Sequence, residues 1–125
     1  MTTTTSVQAV PVPDAPGVPV CRYDELEPER GVAALVDGVQ VAIFLLSDGT
    51  VLAVGHRDPW SGANVIARGI VGTRGDVPTV ASPMFKQVFD LRTGVCLDDP
   101  TVTLGNHPVQ VGADGLVRVR LGETS

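Results

Sequence analysis

The side chains that could bind a metal or act as nucleophiles are few and far apart. The chain has two histidines, His56 and His107, and two cysteines, Cys21 and Cys96. Paired metal ligands usually lie roughly two to four residues apart, and none of these four residues has such a neighbour among the others. Two cysteines alone cannot hold an iron–sulfur cluster, which needs four ligands. We therefore expect both histidines to be partly solvated loop residues and both cysteines to be small buried residues in strands.

Other common chemistries also lack their residues. No serine lies in a nucleophile elbow, and the glycine-rich segment Gly72–Gly75 has no strand–helix context for binding a dinucleotide. The formal net charge is −5, and Lys86 is the only lysine, so the basic surface that neutralises nucleic-acid phosphates is missing. These patterns predict a chain with no catalytic residues, no metal ligands and no nucleic-acid partner.

The elements that must position any site are short β-strands. Runs of β-branched residues alternate with turn residues, a pattern typical of an all-β fold. Asp37-Gly38 predicts a tight hairpin, because its second residue accepts a positive φ. Ser47-Asp48-Gly49 and Asp114-Gly115 predict further turns. The expected strands are Val18–Arg22, Val32–Val36, Val39–Leu46, Thr50–Val54, Thr79–Ser82, Lys86–Asp90, Val95–Leu97, Val109–Val111 and Leu116–Leu121.

The 125 residues suit a single domain preceded by a tail. Residues 1–17 are rich in threonine and proline and predict a flexible N-terminal tail. Residues 18–122 form the expected domain, a small antiparallel β-sandwich or barrel. The segment Gly55–Gly75 carries five glycines and predicts a long loop insert, with one short helical turn within Ala63–Arg68. The chain has no apolar stretch of about 20 residues and no signal peptide, so we expect a cytoplasmic protein without a membrane partner.

Two loop motifs resemble those of the Rieske iron–sulfur family. In Rieske ferredoxins, one loop reads Cys-Pro-His and a second reads Cys-Pro-x-His, followed by a hairpin ending in Phe-Asp-x-x-Thr-Gly. The corresponding segments here are Asp58-Pro59-Trp60, Ser82-Pro83-Met84-Phe85 and Phe89–Gly94. The resemblance covers about Val18 to Leu121 and implies a Rieske-like fold.

All four ligand positions of that family hold other residues. Asp58 and Ser82 stand where the two cysteines would be, and Trp60 and Phe85 stand where the two histidines would be. The cysteines ligate one iron and the histidines the other, and carboxylate, hydroxyl and aromatic groups do not replace them. The resemblance therefore implies an intact scaffold without its cluster. Trp60 and Phe85 would fill the vacated space or anchor a partner.

The segments Asp58–Gly72 and Val80–Asp99 indicate which group of Rieske-like proteins the chain resembles. Both are similar to the small subunit of assimilatory NAD(P)H-dependent nitrite reductase, a Rieske-like chain without cluster ligands. The resemblance implies a cytoplasmic partner, the large subunit, which carries FAD, an iron–sulfur cluster and siroheme and reduces nitrite to ammonium. It implies that this chain binds no cofactor and contributes to the enzyme by association.

The tip formed by the two former ligand loops is the expected contact surface. Its candidate partner-binding residues are Arg57, Trp60, Met84, Phe85 and Lys86. Two alternatives stay open. The chain could be a Rieske-type [2Fe–2S] electron-transfer ferredoxin, which the fold favours and the ligand chemistry opposes. It could also be a Rieske-like interaction module of another oxidoreductase.

Overall fold

A computed structural model describes residues 17–84 and 86–121 of the chain. The predicted tail, apart from Gly17, lies outside the described residues, as do Phe85 and residue 122. The described part contains ten strands, joined in three antiparallel sheets. They are β1 Val18–Arg22, β2 Gly31–Val36, β3 Val39–Leu45, β4 Val51–Gly55, β5 Ile70–Arg74, β6 Val77–Ala81, β7 Val88–Asp90, β8 Asn106–His107, β9 Val109–Val111 and β10 Leu116–Val119.

The predicted meander forms the central sheet, in the order β2-β3-β4-β8. Strands β2 and β3 are joined by Asp37 and Gly38, whose φ angles of 48° and 84° are those of a tight hairpin turn. The next turn contains Gly49 at φ 94°, and the carboxylate of Asp48 accepts a 2.9 Å hydrogen bond from the backbone N–H of Thr50. The turn residues thus fix the register of the meander, as the sequence predicts.

Both faces of the central sheet are covered, so the domain has three layers. Side chains alternate along β3: Ala42 and Phe44 face one core, and Val41 and Ile43 face the other. The sheet β5-β6-β7 supplies Val80 and Phe89 to the first core, and the sheet β1-β10-β9 supplies Val117 and Val119 to the second. Burial on both faces explains why the part of β3 after Gln40 is a continuous apolar run without polar alternation.

The predicted loop insert is partly regular, and this expectation needs correction. The short helical turn is present as a 3₁₀ helix at Ile66–Arg68, but the residues after it form β5. Strand β5 pairs with β6 across a turn at Gly75, whose φ is 64°. The number of glycines in this segment led to the prediction of a loop, although other residues of β5, such as Ile70 and Val71, favour β-structure.

Several strand limits differ from the prediction by one or two residues, and two segments differ altogether. The expected strand Val95–Leu97 is absent: Cys96 and Val95 form only isolated bridges, with Phe89 and Thr103. Strand β8 was not predicted; it is two residues long and pairs with the end of β4. Strand β10 ends at Val119 instead of Leu121. Short segments of this kind are held by tertiary contacts that leave no periodic pattern in the sequence.

The first and last strands pair to close the domain, a pairing that the sequence did not predict, whereas the hairpin at Asp114-Gly115 was predicted. Strand β1 pairs with β10, and β10 pairs with β9 through the turn that contains Gly115 at φ 81°. The hydroxyl of Tyr23 donates to the carbonyl of Gly49, which connects this sheet to the turn between β3 and β4. Helical structure in residues 17–84 and 86–121 is limited to two three-residue 3₁₀ turns, and no helix there has the length and apolar character of a membrane span.

Candidate functional site

Two loops lie side by side at one end of the domain. The first follows β4, and the second joins β6 to β7. Each loop is closed by its own backbone hydrogen bonds: Asp58 N–H donates to the carbonyl of Ala63 at 2.8 Å, and Ser82 N–H donates to the carbonyl of Gln87 at 2.9 Å. Each loop is therefore closed by hydrogen bonds of its own backbone.

A buried hydrogen bond joins the two loops. The hydroxyl of Ser82 donates to Oδ2 of Asp58, and both residues are almost completely excluded from solvent. The other carboxylate oxygen of Asp58, Oδ1, accepts backbone N–H groups from Trp60 at 2.8 Å and Ser61 at 3.1 Å. A buried carboxylate requires such donors to offset its desolvation. We call Asp58 and Ser82 the loop bridge.

The resemblance of the loop motifs implies that the loop bridge stands where a Rieske domain has its two cysteines. The carboxylate and the hydroxyl bond to each other, so neither is presented as a free ligand. Residues 17–84 and 86–121 contain no group of three or more His, Cys, Asp or Glu side chains arranged to hold a metal ion. The residues present do not fit a [2Fe–2S] cluster, because thiolate and imidazole donors are missing from these positions.

The cysteines lie away from the loop bridge. Cys96 is completely buried in the core, as expected, and bridges the backbone of Phe89. Cys21 lies in β1 as expected but is only half-buried, and Cys96 is buried as expected but lies outside the strands named above. The expectation of two buried cysteines in strands is therefore only partly correct for each residue. Partial burial raises the pKa of the Cys21 thiol, with a smaller contribution from the charge of Glu25.

The structure brings two of the predicted partner-binding side chains together at the loop tip. Trp60 is 43% exposed and Met84 is 48% exposed. Their backbone amides are held by the loop bridge, since Trp60 N–H donates to Asp58 and Met84 N–H donates to the Ser82 hydroxyl at 3.2 Å. The Trp60 ring also lies against Phe89, with centroids 6.2 Å apart. Trp60 thus rests on the core and still presents nearly half of its surface to solvent.

The other candidates surround this apolar tip or lie outside the described residues. Lys86 is exposed, and its φ of 64° turns the second loop back toward β7. Arg57 is exposed on the first loop, where its guanidinium lies close to Gly62. Phe85 lies outside the described residues. The tip therefore combines exposed apolar surface with two cationic side chains, which is the composition of many protein interfaces.

Both histidines are buried, contrary to the expectation of partly solvated loop residues. His56 follows β4, and its Nδ1 accepts a 3.1 Å hydrogen bond from the backbone N–H of Ala67. Burial lowers the pKa of His56, and the positive charge of Arg68 lowers it further. His107 lies in β8, and burial lowers its pKa as well. The His56 ring acts as an acceptor for the start of the 3₁₀ helix and so remains neutral with its proton on Nε2.

Sequence reasoning missed the loop bridge, although the signal was present. Two cysteines that ligate one iron lie next to each other, so the residues that replace them are neighbours too. A carboxylate and a hydroxyl at such neighbouring positions form a natural acceptor–donor pair. The contribution of Gln40 and Thr103 to a cleft beside the first loop had no sequence signal, because neither belongs to a motif.

Comparison with known proteins agrees with the fold and the loops. The sequence profile of the Rieske-like [2Fe-2S] domain family matches residues 18–120. The nitrite reductase (NADH) small subunit of Salmonella typhimurium is 36% identical over 102 residues, which cover 81% of this chain and 94% of that protein. The chain belongs to the nitrite reductase small-subunit family. This assignment confirms the resemblance predicted from the loop segments and makes the chain a member of a family of oxidoreductase subunits.

Two further relatives of the small-subunit family are informative. The crystal structure of the proposed NADH-dependent nitrite reductase small subunit of Mycobacterium tuberculosis is 50% identical, with a TM-score of 0.81, and the match covers 85% of this chain and 96% of that one. A nitrite reductase [NAD(P)H] large subunit of Klebsiella oxytoca is 34% identical over 100 residues, which cover 80% of this chain but only 10% of the large subunit. A relative of the small-subunit domain thus occurs inside a large-subunit chain.

Proposed function

We propose that the chain is the non-catalytic small subunit of a cytoplasmic NAD(P)H-dependent nitrite reductase that reduces nitrite to ammonium. In this proposal it acts by binding a large subunit that carries FAD, an iron–sulfur cluster and siroheme. The loop bridge is the observation that carries the proposal. A scaffold that uses its two cysteine positions for an internal hydrogen bond keeps the shape of the tip but supplies no electron carrier there.

The Klebsiella oxytoca match supports the choice of partner. A domain related to this chain is covalently joined to a large subunit in that protein. Domains encoded in one polypeptide work at a high effective concentration with respect to each other, and separate chains achieve the same proximity through an interface. The proposed interface is the loop tip, where Trp60 and Met84 are exposed and Arg57 and Lys86 add positive charge.

Replacing Trp60 with alanine is expected to weaken association with the large subunit by about 30-fold, because a partly exposed tryptophan at the centre of a tip is a typical hot spot. The tagged full-length chain is used to isolate the large subunit, recognised by its siroheme spectrum, and the affinity of the purified pair is then measured by calorimetry. The circular dichroism and melting curve of the isolated variant report whether the fold is kept.

Val111→Ala provides the matched control. Val111 is 41% exposed in β9, near the turn of Gly115 and Tyr23, at the opposite end of the domain from the loop tip. Its truncation should leave the affinity unchanged. Equal affinities of the Trp60→Ala variant and the parent would refute docking through the tip, and unfolding of that variant would assign Trp60 to the core.

The cluster-free state is the second part of the proposal and separates it from the ferredoxin alternative. The purified chain is expected to be colourless, with less than about 0.1 iron per chain, because the loop bridge offers no thiolate or imidazole. Visible absorption and iron analysis measure this after anaerobic expression in iron-rich medium. A brown protein with two irons per chain would overturn the proposal and favour an electron carrier.

A further inference from the structure

An open cleft of about 460 Å³ lies beside the first loop. It is bounded by the start of β3, the end of β4 and the segment that leads into β8. Its volume falls in the range of sites that hold a small molecule or a side chain of a partner. The lining residues are Val39, Gln40, Gly55, His56, Arg57, Pro59, Thr103, Leu104 and His107.

His56 contributes a fixed hydrogen-bond donor to the cleft. Because Nδ1 accepts the backbone N–H of Ala67, the proton of the neutral ring resides on Nε2. This Nε2–H has no hydrogen-bond partner in residues 17–84 and 86–121. The hydrogen bond at Nδ1 fixes the orientation of the ring, so the Nε2–H can donate to a ligand that carries an acceptor atom.

Arg57 contributes an unpaired positive charge. Within the described part of the chain, its guanidinium makes no ion pair and no hydrogen bond. Most of the other arginines there have a carboxylate within 4 Å; they are Arg22, Arg30, Arg74, Arg92 and Arg118. The planar guanidinium of arginine presents paired N–H donors that match two oxygens on one atom.

The rest of the lining is free of negative charge. The residues that line the cleft include no aspartate and no glutamate, although the chain has 14 acidic residues against nine basic ones. Gln40 and Thr103 add an amide and a hydroxyl that can donate hydrogen bonds. The cleft is therefore rich in donors and carries a net positive charge on an otherwise acidic protein.

We propose that this cleft binds a small planar anion with two oxygens on one atom, a carboxylate or nitrite, held by the Arg57 guanidinium and the Nε2–H of His56. The proposal does not require docking through Trp60, although Arg57 also adds positive charge to the proposed docking tip. Carboxylate and nitrite share the same oxygen spacing, so either a free anion or an acidic side chain of a partner could supply the group.

The test is a titration of the full-length chain, followed by nuclear magnetic resonance. Sodium nitrite, sodium acetate and N-acetylglutamate are added separately at constant ionic strength, with sodium chloride as the reference salt. Saturable shifts of the Arg57 side-chain N–H and of the backbone amides of Gly55 and Leu104 are expected, with Kd values in the millimolar range. Shifts that are linear and equal to those with chloride would overturn the proposal.

Two variants make the test specific. Arg57→Gln should weaken binding at least tenfold, whereas Arg30→Gln, which removes the same charge near the opposite end of β3, should bind within twofold of the parent. Unchanged binding by Arg57→Gln would also overturn the proposal.

The relative affinities of the three anions identify the source of the ligand. Tighter binding of nitrite than of acetate assigns the cleft to a free oxyanion. Tighter binding of acetate and N-acetylglutamate than of nitrite assigns it to an acidic side chain. Docking is measured separately with Trp60→Ala, so either proposal can fail alone.

Discussion

Replacing Asp58 with alanine is expected to lower the free energy of unfolding by about 3 kcal/mol, because one buried and two partly buried donors lose their acceptor at once. The carboxylate accepts the Ser82 hydroxyl and the backbone N–H groups of Trp60 and Ser61. Asp58 itself is completely buried. Chemical denaturation of the isolated full-length chain measures the loss.

The size of this effect follows from an asymmetry in hydrogen-bond energetics. A satisfied hydrogen bond contributes only about 1 kcal/mol, since water would otherwise take its place, but a buried donor without a partner costs about 1–3 kcal/mol. Alanine at position 58 leaves three donors without their acceptor and creates a void the size of a carboxylate group. Opening of the first loop would relieve the cost by letting water in, at the expense of the tip geometry.

Asp48→Ala is the matched control for this prediction. Asp48 also accepts a backbone N–H two residues ahead, from Thr50 at 2.9 Å, but it lies on an exposed turn where water can replace it. Replacement of Asp48 by alanine should therefore have a much smaller effect on the free energy of unfolding.

A double-mutant cycle that combines Asp58→Ala with Ser82→Ala should show a coupling energy of about 1–2 kcal/mol between Asp58 and Ser82. Additive effects of the two substitutions would contradict a direct loop bridge.

Replacing Gly55 with alanine is expected to cost about 3 kcal/mol of stability, because forcing an extra methyl into a closed backbone contact requires the chain to shift. Gly55 is the last residue of β4, and a Cβ placed on it would overlap the carbonyl oxygen of Leu104. The obstacle is backbone, so no side-chain rotation relieves it. The N–H of Gly55 also donates to the carbonyl of Gly105 at 3.3 Å, and this contact would be lost.

Gly72→Ala separates this steric effect from the general effect of losing a glycine. Gly72 lies in β5, and a Cβ there would meet only Thr79 Oγ1 at 3.7 Å, an ordinary contact. Since alanine restricts the unfolded chain more than glycine does, this variant should be neutral or slightly more stable. Equal melting temperatures for Gly55→Ala and the parent would contradict this prediction, since they would show that the segment leading into β8 can move away from the added methyl group without loss of stability.

The parts of the fold that sequence predicted correctly depend on local chemistry. Asp37-Gly38 specifies its turn through positive φ, and the apolar runs on each side then pair in register. Strand β8 carries no such signal. It is two residues long and exists because Gly55 admits the backbone of the preceding segment and the end of β4 offers free pairing positions.

The sequence predicts two loops as the candidate site but not the hydrogen bond that joins them. The motif around Pro59 and Pro83 located both loops, and the exposure of Trp60 and Met84 agrees with a tip that can be contacted. Motif comparison treats each position separately, however. It therefore indicated that two thiolate ligands are missing, but not that Asp58 and Ser82 form a hydrogen bond with each other. The burial of His56 was missed because its partner, the amide of Ala67, becomes adjacent only when the first loop folds back.

The loop bridge also changes how the domain reaches its finished state. A tip joined by an inorganic cluster is complete only after iron and sulfide have been delivered and inserted, and it is lost again on oxidation or chelation. A tip joined by Asp58 and Ser82 needs only the polypeptide itself. In the proposed cluster-free state, maturation of this domain is uncoupled from metal supply, and refolding from denaturant in the presence of a chelator should restore the same surface.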